Sequence, residues 1–410
     1  MILQGLSPSI WGSVADVHGR RVTYICTFLI FLGACVGLAE TRHYYQLVVL
    51  RCLQSAGSAS TIAIGAGVIG DITQREERGG YMGIYQAGLL APLAFGPILG
   101  GVFAQTLGWR AIFWFLAIYR GAFLGLLVIV LPETLRSMVG NGSIPSRGLS
   151  KSALSYIQGR RHSHSDSVTP GISQPSKKSP VDFLGPLRMI VGMEVTYIIV
   201  FLAVFYTGWQ MLITTMSTLF KQTYGLSEIQ IGLTFIANGV GCIIGTLTTG
   251  RFLDYDYKRA KKNYTGSEET FPLEQARLRT IWLWSGLQCA SVLVFGWTLD
   301  ERVHMLAPII CTFVLGWAST SIIGVVSTFM VDCFPKQGAS ATASLNLVRC
   351  LLAAGGTALV LPIVNGIGVG WTFTLLVGLM LASLVLVWMQ MRYGSKCRQR
   401  REMREKDVTQ

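Results

Sequence analysis

Apolar residues do not alternate with polar ones along this chain; they come in long unbroken runs separated by short charged breaks. Strict alternation marks half-buried strands, whereas runs near 20 residues match helices crossing roughly 30 Å of bilayer hydrocarbon. Ten such runs stand out: Val22–Ala39, Tyr45–Ile69, Gly79–Ala104, Arg110–Leu131, Thr196–Phe220, Ile229–Phe252, Thr280–Leu299, Met305–Val331, Ala339–Val364 and Trp371–Met391. In lipid every backbone N–H and C=O needs an internal partner, and runs without the alternation of barrel strands meet that demand only as helices. The pattern predicts an all-α membrane protein. Met1–Trp11 is too short to span, and it lacks the basic start and small-residue cleavage site of a signal peptide. It is read as the tail of a helix whose beginning is missing.

Composition removes the soluble alternative, because hydrophobic residues are 51% and charged residues 13%, against about 25% charged in soluble domains. The net charge of +13 is organised by topology, since Lys and Arg gather in cytoplasmic loops. Most basic residues fall on one side: Arg20 and Arg21, Arg75 and Arg78, the stretches Arg136–Arg188 and Arg251–Arg279, Lys336, and the tail Arg392–Lys406. Only Arg42, Arg110, Lys221 and Arg302 fall on the other. The excess therefore faces anionic lipid head groups on the cytoplasmic side, with no call for a nucleic acid. Four segments follow: a helical bundle over 1–131, incomplete at its start; a polar cytoplasmic linker over 132–188, largely disordered; a second bundle over 189–392; and a basic cytoplasmic tail over 393–410.

Enzyme chemistry finds no foothold. There is no H-E-x-x-H, P-loop or G-x-S-x-G, none of the nine cysteines forms a C-x-x-C, and the five histidines lie outside the runs. No catalytic residue, metal or cofactor is expected. Cys26, Cys35, Cys52, Cys242, Cys289, Cys311 and Cys350 read as small buried hydrophobes, and Cys397 as a plain thiol beside the basic tail. The triplets at Asn141 and Asn263 sit on the cytoplasmic side and should stay unglycosylated.

Several motifs carry more. The run Gly12-Ser-Val-Ala-Asp16-Val-His-Gly19-Arg20-Arg21 reads as a loop, in which glycines permit a tight turn and the charged groups reach neighbouring helix ends, Asp71 being the candidate partner of Arg20. Leu47-Val-Val-Leu-Arg51-Cys-Leu-Gln54 places a cation roughly 10 Å from a helix end, at 1.5 Å per residue, where a charge is costly enough to imply function. Arg349 invites the same inference. Arg120 lies at mid-depth, with a structural role ahead of a functional one. Gly83, Gly96, Pro97, Gly100 and Gly101 form a small-residue element that allows close helix contact.

Together these stretches resemble the major facilitator superfamily: G-x-x-x-D-x-x-G-R-R resembles its signature loop, with Val17 where the family prefers a base. L-x-x-x-R-x-x-Q is similar to its second motif, with Ser55 replacing a glycine, and the Gly83–Gly101 element is similar to its antiporter motif, with Pro92 where glycine is commoner. Leu131-Pro-Glu-Thr-Leu-Arg136, Tyr224–Gly232 and Gly250-Arg-Phe-Leu-Asp254 are similar to fungal twelve-helix drug:proton antiporters of the quinidine-resistance branch. The resemblance implies two six-helix bundles, here without the first helix and most of the second, exporting drugs or other small organic compounds in exchange for protons. It implies gating by Gly12, Asp16, Gly19, Arg20, Arg21 and Asp71, and proton coupling by Arg51, Gln54 and Arg349. Tyr85, Gln86, Tyr206, Trp209, Gln210, Asn238, Trp317 and Asn346 are the substrate-binding candidates, rings and amides suited to amphipathic molecules. The expected setting is a monomer in lipid at the plasma membrane, or else the vacuolar membrane. A transport-inactive fragment, a nutrient importer and a membrane sensor with this fold remain alternatives.

Overall fold

The structure is a computed structural model that describes residues 1–72, 78–139, 193–262, 273–333 and 338–409. Within these ranges the described side chains exclude 63, 66, 78–80, 82–84, 86, 87, 90, 91, 93, 94, 136, 137, 193, 194, 254, 257, 258, 260, 261, 338–341 and 396–409. Residues 140–192, most of the expected linker, lie outside the description, as do Asn263 and the Cys397 side chain.

Every regular element among the described residues is helical: α1 (Ile2–His18), α2 (Arg20–Ala39), α3 (Tyr44–Ile72), α4 (Arg78–Thr106), α5 (Trp109–Val130), the single turn α6 (Arg136–Val139), α7 (Met193–Tyr224), α8 (Glu228–Lys262), α9 (Leu273–Leu278), α10 (Ile281–Asp300), α11 (Leu306–Cys333), α12 (Gly338–Ile367) and α13 (Val369–Thr409). Each of the ten apolar runs falls within one of these helices to within a residue. Nine segments are long and apolar enough to cross a membrane among the described residues; the tenth run is α4, which stays helical through Pro92 and Pro97. The protein is a multi-pass membrane protein.

Two compact units divide the chain. The N-terminal unit comprises Leu3–Leu89 and Thr106–Phe183, and the C-terminal unit comprises Met1–Ile2, Leu90–Gln105 and Leu184–Gln410. In the C-terminal unit α7 is apolar all round and accordingly lies at the centre, with Ile198, Phe201, Leu202, Phe205 and Leu212 at or below 1% exposure. Helices α12 and α13 pack against α7, α8 packs on α11, and α10 on α11 and α13. In the N-terminal unit α2 packs between α3 and α5, and α1 is fastened to α3 by the Ser7 hydroxyl, which donates to the Ala56 carbonyl at 2.6 Å. Large apolar side chains such as Ile118 and Leu375 stand exposed on α5 and α13, the inverse of a water-soluble surface and the arrangement lipid requires.

Two expectations need correction. The Gly12–Arg21 stretch is not a loop. The stretch holds no proline and packing carries the helix past Gly12, so α1 runs to His18, and the whole reversal is made at Gly19, whose φ of 99° is open to glycine and strained for other residues. Cys26 and Cys52 are exposed rather than buried, because they fall on the sides of α2 and α3 turned away from their neighbours.

Candidate functional site

Polar side chains concentrate at one end of the N-terminal unit, where three helix ends meet. The first N–H groups of a helix lack internal partners, and so do its last C=O groups. Gly19, at the head of α2, has no side chain to supply a cap. Glu133, three residues beyond α5 and 6% exposed, supplies it: one carboxylate oxygen accepts from the Arg20 N–H at 2.8 Å and the other from the Arg21 N–H at 3.3 Å. The same carboxylate accepts from Thr134 and Leu135 N–H at 3.1 and 3.2 Å. Arg21 returns the service to α5. Its guanidinium donates to the Val128 carbonyl at 2.7 Å and to the Leu131 carbonyl. Negative charge at a helix N-terminus and positive charge at a C-terminus each follow the macrodipole, so α2 and α5 cap one another.

Arg20 carries the connection on to α3 and α1. Its Nε lies 3.1 Å from Asp71 at the end of α3, and its Nη2 lies 2.7 Å from Asp16 in α1. Gly19 has no room for a side chain, since a Cβ there would stand 2.5 Å from the Glu133 carboxylate. Asp16, Gly19, Arg20, Arg21 and Asp71 thus meet around Arg20 and Glu133, while Gly12 lies about a turn before Asp16 in α1.

The C-terminal unit holds a smaller arrangement of the same kind. Arg277 in α9, just ahead of α10, places Nε 2.8 Å from Asp332 at the end of α11, and donates from Nη1 to the Leu253 carbonyl at 3.4 Å. Glu274, 2% exposed, lies in the same short helix.

The glycine-proline element does a different job. Among Gly96, Pro97, Gly100 and Gly101, contact is made at Pro97 and Gly101. The backbone of α4 meets that of α8 so closely that a Cβ on Gly101 would stand 2.5 Å from the Glu228 carbonyl oxygen, and one on Gly232 2.6 Å from that of Pro97. The Gln105 side chain accepts from the Ile229 N–H at 3.3 Å and closes the contact. Gly96 and Gly100 have open space where a side chain would go. The surroundings of Gly83 and the side chain of Gln86 lie outside the described residues.

The intramembrane arginines differ in their company. Arg51 donates to Gln54 at 3.1 Å and lies 4.8 Å over the Phe113 ring, while Gln54, 7% exposed, donates on to the Cys35 sulfur at 3.2 Å. Arg120 is clasped between aromatic rings, 3.6 Å from the centre of Phe28 and 4.7 Å from that of Phe31, and its Nε and Nη2 make no hydrogen bond. Arg349 donates twice to Asn346 and lies 4.9 Å over Tyr206, whose hydroxyl accepts from Gln210 at 2.6 Å.

Three of the expected binding residues, Tyr206, Gln210 and Asn346, therefore form one cluster with Arg349, expected as a proton-coupling residue. Trp209 and Asn238 pair with each other at 3.2 Å inside the packing, and Trp317 donates to Thr248 at 3.0 Å. Tyr85 donates to the Thr61 and Ile62 carbonyls of α3 at 3.1 and 2.9 Å. The gap lined by Tyr206, Gln288 and Ser319 is too narrow to admit a water molecule.

With this geometry in place, comparison with known proteins decides the family. The profile of the Major Facilitator Superfamily matches residues 1–357. The chain is a major facilitator. It is 39% identical to Citrate exporter 1 of Aspergillus niger over 99% of this chain and 79% of that protein. It is 32% identical to the MFS antiporter QDR2 of Candida albicans, over 95% and 78%. Among solved structures, the human organic anion transporter MFSD10 (TETRAN) superimposes with a TM-score of 0.60 at 17% identity, over 94% of this chain and 81% of that one, a likeness of fold. The protein is a membrane transporter of the type to which the fungal QDR antiporters belong.

Two elements of this major facilitator escaped sequence reasoning. Glu133 was visible as part of the Leu131–Arg136 motif, yet nothing local says that it caps a helix more than a hundred residues earlier. Arg277 and Asp332 carry no motif; the signal that marks them is positional, an arginine before one span and an aspartate ending the next, as with Arg20 and Asp71.

Proposed function

We propose that this chain exports small organic compounds, drugs among them, in exchange for protons, working as a monomer in the plasma membrane and rocking two helical bundles about a midplane site. The observation that carries the export reading is the backbone contact of α4 on α8, Pro97 against Gly232 and Gly101 against Glu228. The sequence element that makes it resembles the antiporter motif, whose tight packing keeps the outer side of the cavity sealed against ion leak. Relatives named as a citrate exporter and a multidrug antiporter support the same direction. In this reading the Asp16, Arg20, Asp71 and Glu133 network holds the cytoplasmic helix ends together in the outward-facing state, and its rearrangement opens them. Arg51, bonded to Gln54, biases the protonation step that accompanies each return.

The test is accumulation. Deleting the gene should raise, and overexpressing it should lower, the intracellular level of at least one compound in a broad panel that includes carboxylates and cationic drugs. Collapsing the pH gradient should abolish the difference. Unchanged levels in both strains across the panel remove the export reading, and export that survives loss of the gradient removes proton exchange.

A further inference from the structure

Three arginines stand well inside the apolar runs, Arg51, Arg120 and Arg349, while the ten runs contain no Asp, Glu or His. A guanidinium at membrane depth is costly and is ordinarily matched by a carboxylate or turned toward a polar cavity. Among the described residues none of the three has an ion-pair partner. Two are accounted for by their surroundings. Arg51 holds Gln54 at 3.1 Å over the Phe113 ring and is taken up by the protonation step proposed above, and Arg120 is enclosed by the rings of Phe28 and Phe31.

Arg349 is neither near an end nor enclosed. It lies about 17 Å along α12 at 1.5 Å per residue. Its Nε and Nη2 both donate to one oxygen, the Asn346 carboxamide, at 3.2 and 2.9 Å. The face of its guanidinium rests on Tyr206, itself fixed by Gln210. An amide and a ring orient this cation without neutralising it. Of the five N–H donors on a guanidinium, the Nη1 end is not engaged by Asn346, and its parallel donors have the geometry that holds a carboxylate by two bonds.

We infer that Arg349, positioned by Asn346 and Tyr206, is the binding point for the carboxylate of an anionic substrate. This rests on the export reading above and names its substrate class. It moves Arg349 from proton coupling to recognition, and it makes Tyr206 the ring that positions this arginine rather than a direct substrate contact.

The test uses the full chain in liposomes, with labelled benzoate, succinate and citrate as anionic probes and tetraphenylphosphonium as a permanent cation. The wild type should move at least one carboxylate. Arg349→Ala should lower that flux more than tenfold, and Arg349→Lys should keep a third or more of it, with both variants unfolding at the wild-type temperature. Carboxylate flux unchanged in Arg349→Ala overturns the inference, and so does equal loss in both variants accompanied by lowered thermal stability, which marks a merely structural residue. Movement of tetraphenylphosphonium with no movement of the three carboxylates removes the anionic class and leaves export standing. If no probe moves, the anionic class falls, and export stands or falls on the accumulation test above.

Discussion

In the N-terminal unit an arginine at the start of α2 meets an aspartate at the end of α3, Nε to Oδ2, at 3.1 Å; in the C-terminal unit Arg277, just ahead of α10, meets Asp332 at the end of α11 through the same atoms at 2.8 Å. The Arg20 and Arg277 side chains are 10% and 11% exposed. What differs is the company. Arg20 also holds Asp16, and it stands beside the reciprocal caps of Glu133 and Arg21, so α1, α2, α3 and α5 are tied at one point. Arg277 also donates to the Leu253 carbonyl at 3.4 Å. A pair that ties the short α9 to the end of α11 is a fastening, whereas a network that caps two helix ends and joins four helices moves as a whole or not at all. The recurring pair is therefore read as structure, and the network around Arg20 as the part able to switch.

The sharpest way to break that comparison is Glu133→Ala. It leaves buried N–H groups of α2 without an acceptor, each costing about 1–3 kcal/mol, so the variant should lose more than about 3 kcal/mol and fail to accumulate as folded protein, with Glu133→Gln intermediate. Yield and thermal unfolding in detergent check this; wild-type stability in Glu133→Ala would dissolve the network into a collection of contacts. Gly19→Ala comes next, destabilised by about 2 kcal/mol because its φ of 99° strains any Cβ and that Cβ runs into Glu133. Arg20→Ala and Arg277→Ala then separate switch from fastening. Both should cost about 1–2 kcal/mol, but Arg20→Ala should reduce transport at least tenfold while Arg277→Ala keeps most of it. Equal transport in the two variants would make the N-terminal network a fastening too. Asp16→Asn should do least, within about 0.5 kcal/mol, because the Asp16 side chain is 62% exposed and solvent screens its pair with Arg20.

The spans were legible because lipid imposes a pattern on every residue of a crossing helix, and no tertiary contact is needed to read it. The Arg20 to Asp71 pairing was legible because each residue sits at the end of its own span. The helical run from Gly12 to His18 was not, since glycine, aspartate and histidine in a polar stretch look like a loop until packing fixes the backbone. Trp209 and Asn238 show another limit. An indole and an amide suggest a binding surface equally well whether they face a cavity or, as here, satisfy one another at 7% and 3% exposure. Side-chain direction around a helix that is apolar on every face carries no sequence signal, so α7 could not be oriented from its residues.

Arg120 has a consequence for the order in which this protein is made. A helix carrying a bare guanidinium at mid-depth enters the bilayer at a disadvantage of about 2.5–3.5 kcal/mol. The rings that clasp it, Phe28 and Phe31, belong to α2, which leaves the ribosome about ninety residues earlier. Cation–π attraction to desolvated rings returns about 2 kcal/mol or more, so α2, already made, offsets most of the cost that Arg120 adds to α5. Loss of both rings should therefore show first as a lower yield of correctly inserted α5.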